Sequence, residues 1–151
     1  MYCTFPQCCG SQQNILLHSD LTAIKNIKDT AFEITVRLVR VYDGDTIWVA
    51  YYDKNLKKVM KISCRLSGYD APEMKPSKDT PQRDLIIENA HKAKEIAEQH
   101  FNKHLFKIKV LGNDKYGRWL VEDTILKNKL LNKNLAYLYE GGTKKTFHLH
   151  L

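Results

Sequence analysis

Alternation of apolar and polar residues is the feature that most constrains the fold of this chain. The run FEITVRLVRV, which starts at Phe32, has apolar side chains at nearly every second position, as in a half-buried strand. The adjacent pair Leu38 and Val39 breaks the alternation and predicts a β-bulge. Two further β-rich runs, TIWVAYY and VMKISCRLSGY, are separated by the polar DKNLKK and therefore predict a hairpin. Three strands are thus expected in succession.

An amphipathic helix is predicted after the third strand. Thr80 before Pro81 is typical of a helix start, because proline suits the first helical position and threonine can cap free amides. Apolar residues then recur at spacings of three and four positions, namely Ile86, Ala90, Ala93, Ile96 or Ala97, and Phe101. This helix is expected to pack on the sheet.

The remaining segments predict a second hairpin and a second helix. LFKIKVL and WLVED have strand character and flank the turn NDKYGR, while ILKNKLLNKN has helical spacing and ends at Asn134. The order of three strands, a helix, two strands and a helix predicts an α+β fold. Its expected core is a five-stranded antiparallel OB-type β-barrel with two packed helices.

Length and charge place the chain in a broad class. A length of 151 residues suits one domain, expected over residues 31–142. The formal net charge of +7 suits a polyanionic partner such as nucleic acid, although many basic proteins are simply soluble. The start of the chain lacks the basic segment and apolar core of a signal peptide, so we expect an unsecreted, intracellular protein. No apolar run approaches the ~20 residues that cross a bilayer.

The two ends of the chain are expected to lie outside the domain. Residues 1–30 are predicted to form a loosely ordered extension, with a short helix after Ser19, and residues 143–151 a short basic tail. Cys3, Cys8 and Cys9 lack the paired C-x2-C spacing of zinc sites, even with a nearby histidine. Reduced thiols are therefore the simpler interpretation.

Two acidic clusters are candidates for cation binding. Asp43 and Asp45 flank Gly44, where an Asp-Gly pair also predicts an ordinary turn. A second cluster, Asp70 with Glu73, follows the third strand. If the two loops converge, their carboxylates supply the oxygen ligands that a hard cation such as Ca2+ prefers.

Two arginines could complete a phosphoryl-transfer site. Arg65 lies five residues before Asp70, and Arg118 ends the segment DKYGR. Guanidinium groups donate two hydrogen bonds at once to phosphoryl oxygens and stabilise the charge that builds there during attack on phosphorus. Taken singly, an arginine and an aspartate in separate loops are more often a solvated surface pair.

The segments VYDGDTIWV, RLSGYDAPE and DKYGRWL, in that order, resemble the three motifs of the staphylococcal nuclease (thermonuclease) family. The resemblance covers roughly Phe32 to Gly142 and implies an SNase-like barrel. It also implies a calcium-dependent nuclease that hydrolyses DNA and/or RNA, prefers single strands and leaves 3′-phosphate products. The expected partner is this nucleic-acid substrate, with no membrane and a monomeric chain.

The resemblance further implies roles for the acidic residues. Asp45 and Asp70 look like the family's calcium-ligating carboxylates, and Ala71 would contribute its main-chain carbonyl. Glu73 matches the residue assigned as general base or water organiser. Asp43 would support the order of the metal or its water less directly.

The same resemblance implies roles in substrate binding. Arg65 and Arg118 match the two arginines that hold the scissile phosphate and stabilise its transition state. Lys115 and Tyr116 match residues near the terminal phosphate of a bound nucleotide.

Two aromatic residues near the end of the chain have two possible roles. Tyr137 and Tyr139 lie where the family stacks a base, although packing at the barrel rim would also explain alternating tyrosines.

Only TKKTFHLHL follows Gly142, so the fold is expected with a shortened C-terminus.

Two rival functions remain. A catalytically weak nuclease-like module that binds nucleic acid or acts as a scaffold would be expected to lose site charges, whereas this chain has all five: Asp45, Arg65, Asp70, Glu73 and Arg118. A plain OB-type single-strand binder leaves the acidic clusters unexplained, because carboxylates repel phosphates unless a cation intervenes.

Overall fold

The structure, a computed structural model, describes Asp20, Thr22 and residues 31–142. Apart from Asp20 and Thr22, the predicted N-terminal extension lies outside the described residues, as do its helix, its three cysteines and its histidine. The predicted tail at 143–151 also lies outside them.

Residues 31–142 form a closed five-stranded barrel with two helices and a separate pair of short strands. The barrel order is β1-β2-β3-β6-β5, and β4 pairs with β7. The elements in chain order are β1 (Phe32–Val41), β2 (Thr46–Asp53), β3 (Lys58–Leu66), β4 (Gly68–Asp70), α1 (Arg83–His100), β5 (Phe106–Asn113), β6 (Trp119–Glu122), α2 (Thr124–Asn132) and β7 (Tyr137–Tyr139). This architecture confirms the predicted α+β barrel with two helices.

The barrel is mixed rather than wholly antiparallel. Strands β3 and β6 run parallel, with Cys64 opposite Trp119 and Leu66 opposite Val121, while the other four barrel pairs are antiparallel. A parallel pair needs a long crossover connection, and here β4, α1 and β5 lie between the two strands. The sequence pattern specified the strands but not this closing pair.

The bulge predicted in β1 is confirmed. Leu38 lies opposite Val49 and Arg40 opposite Trp48, so one extra residue, Val39, enters β1 between them. Leu38 packs against the core, whereas Val39 and Arg40 are both exposed. The bulge therefore turns Arg40 to the outer surface of the barrel.

The predicted start of α1 was wrong by two residues. The helix begins at Arg83, after Gln82, which has a left-handed backbone (φ 55°) and makes no side-chain cap. The Thr80 amide instead donates to the Ser77 carbonyl at 3.1 Å, closing a turn ahead of the helix. The predicted apolar face of α1 is confirmed, because its alanines and Ile86 are buried.

The two ends of helix α2 are set by the residues that flank it. The Asp123 carboxylate accepts a hydrogen bond from the Leu126 amide at 2.8 Å, which caps the helix, and its second oxygen lies 2.7 Å from His100 Nε2. Asn134, just past the helix, has the predicted left-handed backbone (φ 55°). The start of α2 is thereby tied to the end of α1.

The core fills the barrel and the layer beneath the helices. Its most buried side chains include Val36, Ile47, Val49, Cys64, Leu66, Tyr69, Val110, Val121, Leu126 and Leu130. Burial raises the pKa of the Cys64 thiol to about 12, so this side chain behaves as a small apolar group. The packed barrel gives a rigid frame for the loops that connect its strands.

Candidate active site

The loop between β1 and β2 is a tight turn that also buries a carboxylate. The Tyr42 and Asp43 amides donate to the Thr46 carbonyl, and the Asp43 side chain accepts from the Asp45 amide at 3.1 Å. The Asp-Gly pair thus forms the turn that its sequence indicates. The turn points Asp45 inward, where only 2% of the residue is exposed.

Gly44 lies where no side chain fits. A Cβ at this position would lie 2.7 Å from the Ala71 Cβ and 2.8 Å from the Ala93 Cβ, both fixed directly to backbone. The buried Tyr69 hydroxyl donates to the Gly44 carbonyl at 2.8 Å. The turn is therefore pressed against the loop after β4 and against α1, which fixes the position of Asp45.

Gly44→Ala is expected to lower the free energy of unfolding by about 1–3 kcal/mol, because overpacked Cβ atoms force backbone shifts. Urea denaturation would measure this loss. The added Ala71→Gly change removes one of the two close approaches, so the double variant should be less destabilised than the sum of the single variants. A fully stable Gly44→Ala protein would contradict the close approach.

One guanidinium joins the two acidic loops. Arg65 donates from Nη1 to Asp45 Oδ1 and from Nη2 to Asp70 Oδ1, both at 2.5 Å. The Arg65 side chain is 12% exposed, and those of Asp45 and Asp70 are 4% and 6% exposed. Two buried carboxylates therefore converge on one positive charge.

Both carboxylates also accept hydrogen bonds from other donors. Asp45 Oδ2 accepts from the Ala71 amide at 2.9 Å, and the Thr46 hydroxyl donates to Asp45 Oδ1 at 2.9 Å. The Tyr137 hydroxyl donates to Asp70 Oδ2 at 2.9 Å. These bonds fix the orientations of both carboxylates.

Burial raises the pKa of Asp45 to about 7, and the nearby charge of Asp43 adds to the rise. The guanidinium of Arg65 and the Ala71 amide act in the opposite direction. Since the folded pKa lies above the ordinary 3.8, the folded protein holds this proton over the interval between the two values. Ionising Asp45 therefore works against folding when no cation is added.

The expected result is that Asp45 makes the protein less stable as pH rises from about 4 to about 7 in a chelating buffer. The limiting slope for one proton is about 1.4 kcal/mol per pH unit. Urea denaturation on either side of this interval, with the wild type and Asp45→Asn compared, isolates the contribution. A wild type that gains stability relative to Asp45→Asn over the interval would contradict it.

Most of the predicted site residues line one cavity of about 590 Å³. They are Asp43, Asp45, Arg65, Ala71, Glu73, Lys115, Tyr116, Arg118 and Tyr139. Asp70 contacts Arg65 from outside this lining, and Tyr137 bonds to Asp70 rather than lining the cavity. The two acidic loops and the DKYGR turn, far apart in sequence, thus meet at one place.

Arg118 is held in the cavity wall by a residue that the sequence analysis missed. Asp114 accepts from Arg118 Nε at 2.6 Å and from the Arg118 amide at 2.9 Å. Partial burial alone would raise the pKa of Asp114, but the hydrogen bonds from Arg118 and Tyr116 hold it below its ordinary value. The sequence did indicate this role for Asp114, because an aspartate that opens a turn commonly accepts hydrogen bonds from amides two to four residues later.

Tyr116 presents a flat face at the mouth of the cavity. The residue is 72% exposed, with Lys115 Nζ 5.0 Å and the Arg118 guanidinium carbon 5.7 Å from the ring centroid. The lining also includes residues that the sequence analysis did not select: Tyr42, Thr46, Met74, Lys75 and Gly142. Tyr42 directly precedes Asp43 and Lys75 follows Glu73 by two positions, and this closeness to the acidic residues was the available signal.

The donor set fits a hard cation. Carboxylate oxygens, a backbone carbonyl and water are the ligands that Ca2+ accepts, and Asp45 and Asp70 already converge on a positive group. Among the described residues, no three His, Cys, Asp or Glu side chains are grouped to hold a metal ion. A site here would rest on two carboxylates completed by Ala71 and water.

The family model described as staphylococcal nuclease homologue matches residues 63–147, more than half of the chain. The chain belongs to the staphylococcal nuclease homologue family. The match includes Arg65, Asp70, Glu73 and Arg118, while the DGDT turn precedes it. The structure nevertheless brings that turn into the same cavity as the matched residues of this family.

The search of curated proteins gives no match to this staphylococcal nuclease homologue. In the described part of the chain, neither helix is both long and apolar enough to span a membrane.

Proposed function

We propose that this chain is a calcium-dependent nuclease that hydrolyses phosphodiester bonds of DNA and/or RNA, prefers single strands and leaves 3′-phosphate products. The observation that carries the proposal is the shared cavity: Asp45, Arg65, Glu73 and Arg118 line it together, and the buried Asp70 adjoins it through Arg65. Family membership supports the same reaction.

The two arginines are proposed to bind the scissile phosphate. Attack on phosphorus builds negative charge on its oxygens, and positioned guanidinium groups stabilise that charge. Asp114 holds Arg118 through Nε, and the terminal nitrogens of Arg118 are proposed as the donors for a phosphate. Glu73, exposed at the cavity wall, is proposed to orient the attacking water or accept its proton.

Asp45, Asp70 and the Ala71 carbonyl are proposed to hold Ca2+. Bound there, the ion supplies positive charge that stabilises the phosphoryl oxygens. Asp43 supports this arrangement through the turn, because its carboxylate accepts from the Asp45 amide. The same carboxylates hold Arg65, so the arginine and the ion would share them.

Lys115, Tyr116 and Tyr139 are proposed to bind the nucleotide beside the scissile bond. Lys115 offers a positive charge for a phosphate, and the exposed ring of Tyr116 offers a stacking surface. The Tyr139 hydroxyl donates to the Gly142 carbonyl at 2.7 Å, which leaves its ring as the substrate-facing part. Tyr137 contributes through its bond to Asp70.

A catalytically weak binding module is the second candidate, and one observation favours it. Both terminal nitrogens of Arg65 bond to carboxylates, an arrangement in which the guanidinium does not point at a substrate. A protein that only binds nucleic acid would keep this arrangement, whereas a nuclease would use the other N–H groups of Arg65 or redirect one of these donors during its reaction.

The deciding experiment is degradation of single-stranded DNA and RNA with Ca2+, Mg2+ or a chelator, using the wild type and Glu73→Gln. Glu95→Gln, an exposed glutamate on α1, is the matched control. Calcium-dependent cleavage that Glu73→Gln loses and Glu95→Gln keeps would support the nuclease. Binding without cleavage under every condition would favour the second candidate, and equal cleavage by all three proteins would indicate a contaminating nuclease.

A further inference from the structure

A row of alternating cations and aromatic rings runs over the outer face of the barrel, beside the candidate site. Arg40 places its guanidinium carbon 5.9 Å from the Tyr42 ring centroid and 5.6 Å from the Trp48 ring centroid. Lys61 places Nζ 5.3 Å from the same Trp48 ring. We call these four residues the basic-aromatic row.

The β1 bulge creates this row. Leu38 packs against the core, so regular alternation would expose Val39 and turn residue 40 back inward. The extra residue at the bulge instead leaves Arg40 exposed and opposite Trp48, while the following Val41 is buried. Lys61 lies two positions from Ser63, the β3 partner of Trp48, and so shares its face.

The row is continuous with the candidate active site. Tyr42, 45% exposed, lines both the 590 Å³ cavity and an adjoining groove of about 470 Å³. Arg40, Lys75 and Lys94 line that groove together with one carboxylate, Glu98. A nucleic-acid strand that leaves the cavity past Tyr42 therefore lies against mostly positive side chains.

This arrangement has the properties of a single-strand binding surface. Tyr42 is exposed and Trp48 is half-buried on the outer face. Rings with an open face stack on unpaired bases of any sequence, and neighbouring lysines and arginines neutralise the phosphates between them. A duplex already stacks and pairs its bases, so it gains only the charge contribution. The alternative is that the rings merely hold two cations on the barrel surface.

We propose that the basic-aromatic row and the adjoining groove form an extended binding track for single-stranded nucleic acid, which holds the nucleotides next to the scissile bond. This inference rests on the proposed nuclease function. If the track exists, affinity rises and KM falls once the nucleic-acid strand is long enough to leave the cavity and reach Trp48.

Binding is measured first, in a chelating buffer, by fluorescence anisotropy of labelled single strands of roughly 3 and roughly 12 nucleotides. The double variant Arg40→Ala, Trp48→Ala should weaken binding of the longer strand about tenfold or more, since it removes both a stacking ring and a cation that neutralises a phosphate. Binding of the shorter strand should change little. Lys107→Ala, Lys129→Ala removes two exposed charges on β5 and α2 and is the control.

A second variant, Arg40→Ala with Lys61→Ala, keeps Trp48. It tests the track even if the Trp48→Ala variant fails to fold. The slope of log affinity against log salt for the longer strand should become shallower by about 1.4, or about 0.7 for each phosphate that the protein no longer neutralises. Unchanged affinity and slope in both variants, or equal competition by a duplex of the same length, would overturn the track.

Cleavage kinetics separate this inference from the proposed function. If both hold, the row variants raise KM for the longer strand and leave the shorter strand's kcat/KM near the wild-type value. If the wild type cleaves neither strand with Ca2+, the nuclease proposal fails and the anisotropy alone decides the track. If both strands are cleaved with KM values that the row variants leave unchanged, the nuclease stands and the track is rejected.

Discussion

Arg65→Ala is expected to lower the free energy of unfolding by about 3–5 kcal/mol at a pH above about 7, where Asp45 is ionised in the wild type, because it leaves two buried carboxylates without their shared counter-charge. The side chains of Asp45 and Asp70 are only 4% and 6% exposed, so water cannot take over the role of the guanidinium. Urea denaturation in a chelating buffer measures the loss. Cleavage should disappear in the same variant.

Two comparisons isolate the cause of this loss. Arg65→Ala combined with Asp45→Asn and Asp70→Asn removes both uncompensated charges and should recover much of the stability. Ca2+ should raise the Tm of Arg65→Ala more than that of the wild type, because the ion would then neutralise the two carboxylates without competition. An Arg65→Ala protein as stable as the wild type would contradict the bridging geometry, and an absent Ca2+ effect would contradict a cation site at these carboxylates.

Arg118→Ala is expected to lower kcat by about 10²- to 10³-fold, the usual loss when one preorganised donor to a developing oxyanion is removed. The free energy of unfolding should change by about 1 kcal/mol or less, because the Arg118 side chain is 31% exposed and its ion pair with Asp114 is near the surface. Single-turnover cleavage with saturating enzyme gives the chemical rate directly.

Conservative variants test why an arginine is needed at this position. Arg118→Lys keeps the charge but lacks the planar fork, so it should recover only a small part of the lost rate. Asp114→Asn keeps the proposed donor Arg118 but weakens the ion pair that positions it, and should lower kcat less than Arg118→Ala does. Lys107→Ala, which removes a distant exposed charge, is the control. Equal rates in wild type and Arg118→Ala would remove Arg118 from the site.

Most of the fold could be predicted from the sequence, because the patterns that indicate strands and helices are local. Alternation predicted the barrel strands and the bulge at Val39, and three- and four-residue spacing predicted α1 and its buried face. Asn134 marked the end of α2 through its own backbone preference. The one local signal that failed was Thr80, because a turn with Ser77 uses its amide ahead of the helix.

The site residues were also selected from sequence, through three short motifs in a fixed order, and the structure brings most of them to one cavity. Their roles stay predictions. The motifs carry residue identities, since each includes the acids or arginines that phosphoryl transfer uses. They carry no information on which acid bonds to which arginine.

The sequence by itself thus determined the five barrel strands, the two helices and the candidate residues, since each depends on neighbours a few positions away, but it did not predict the separate pair of β4 and β7. Only the tertiary structure decided the parallel closure of β3 on β6, the sharing of Arg65 by Asp45 and Asp70, and the basic-aromatic row. These depend on contacts between distant segments, such as the Tyr137 hydroxyl on Asp70, 67 positions earlier. Such pairings are set by how the barrel closes, and no local pattern encodes that closure.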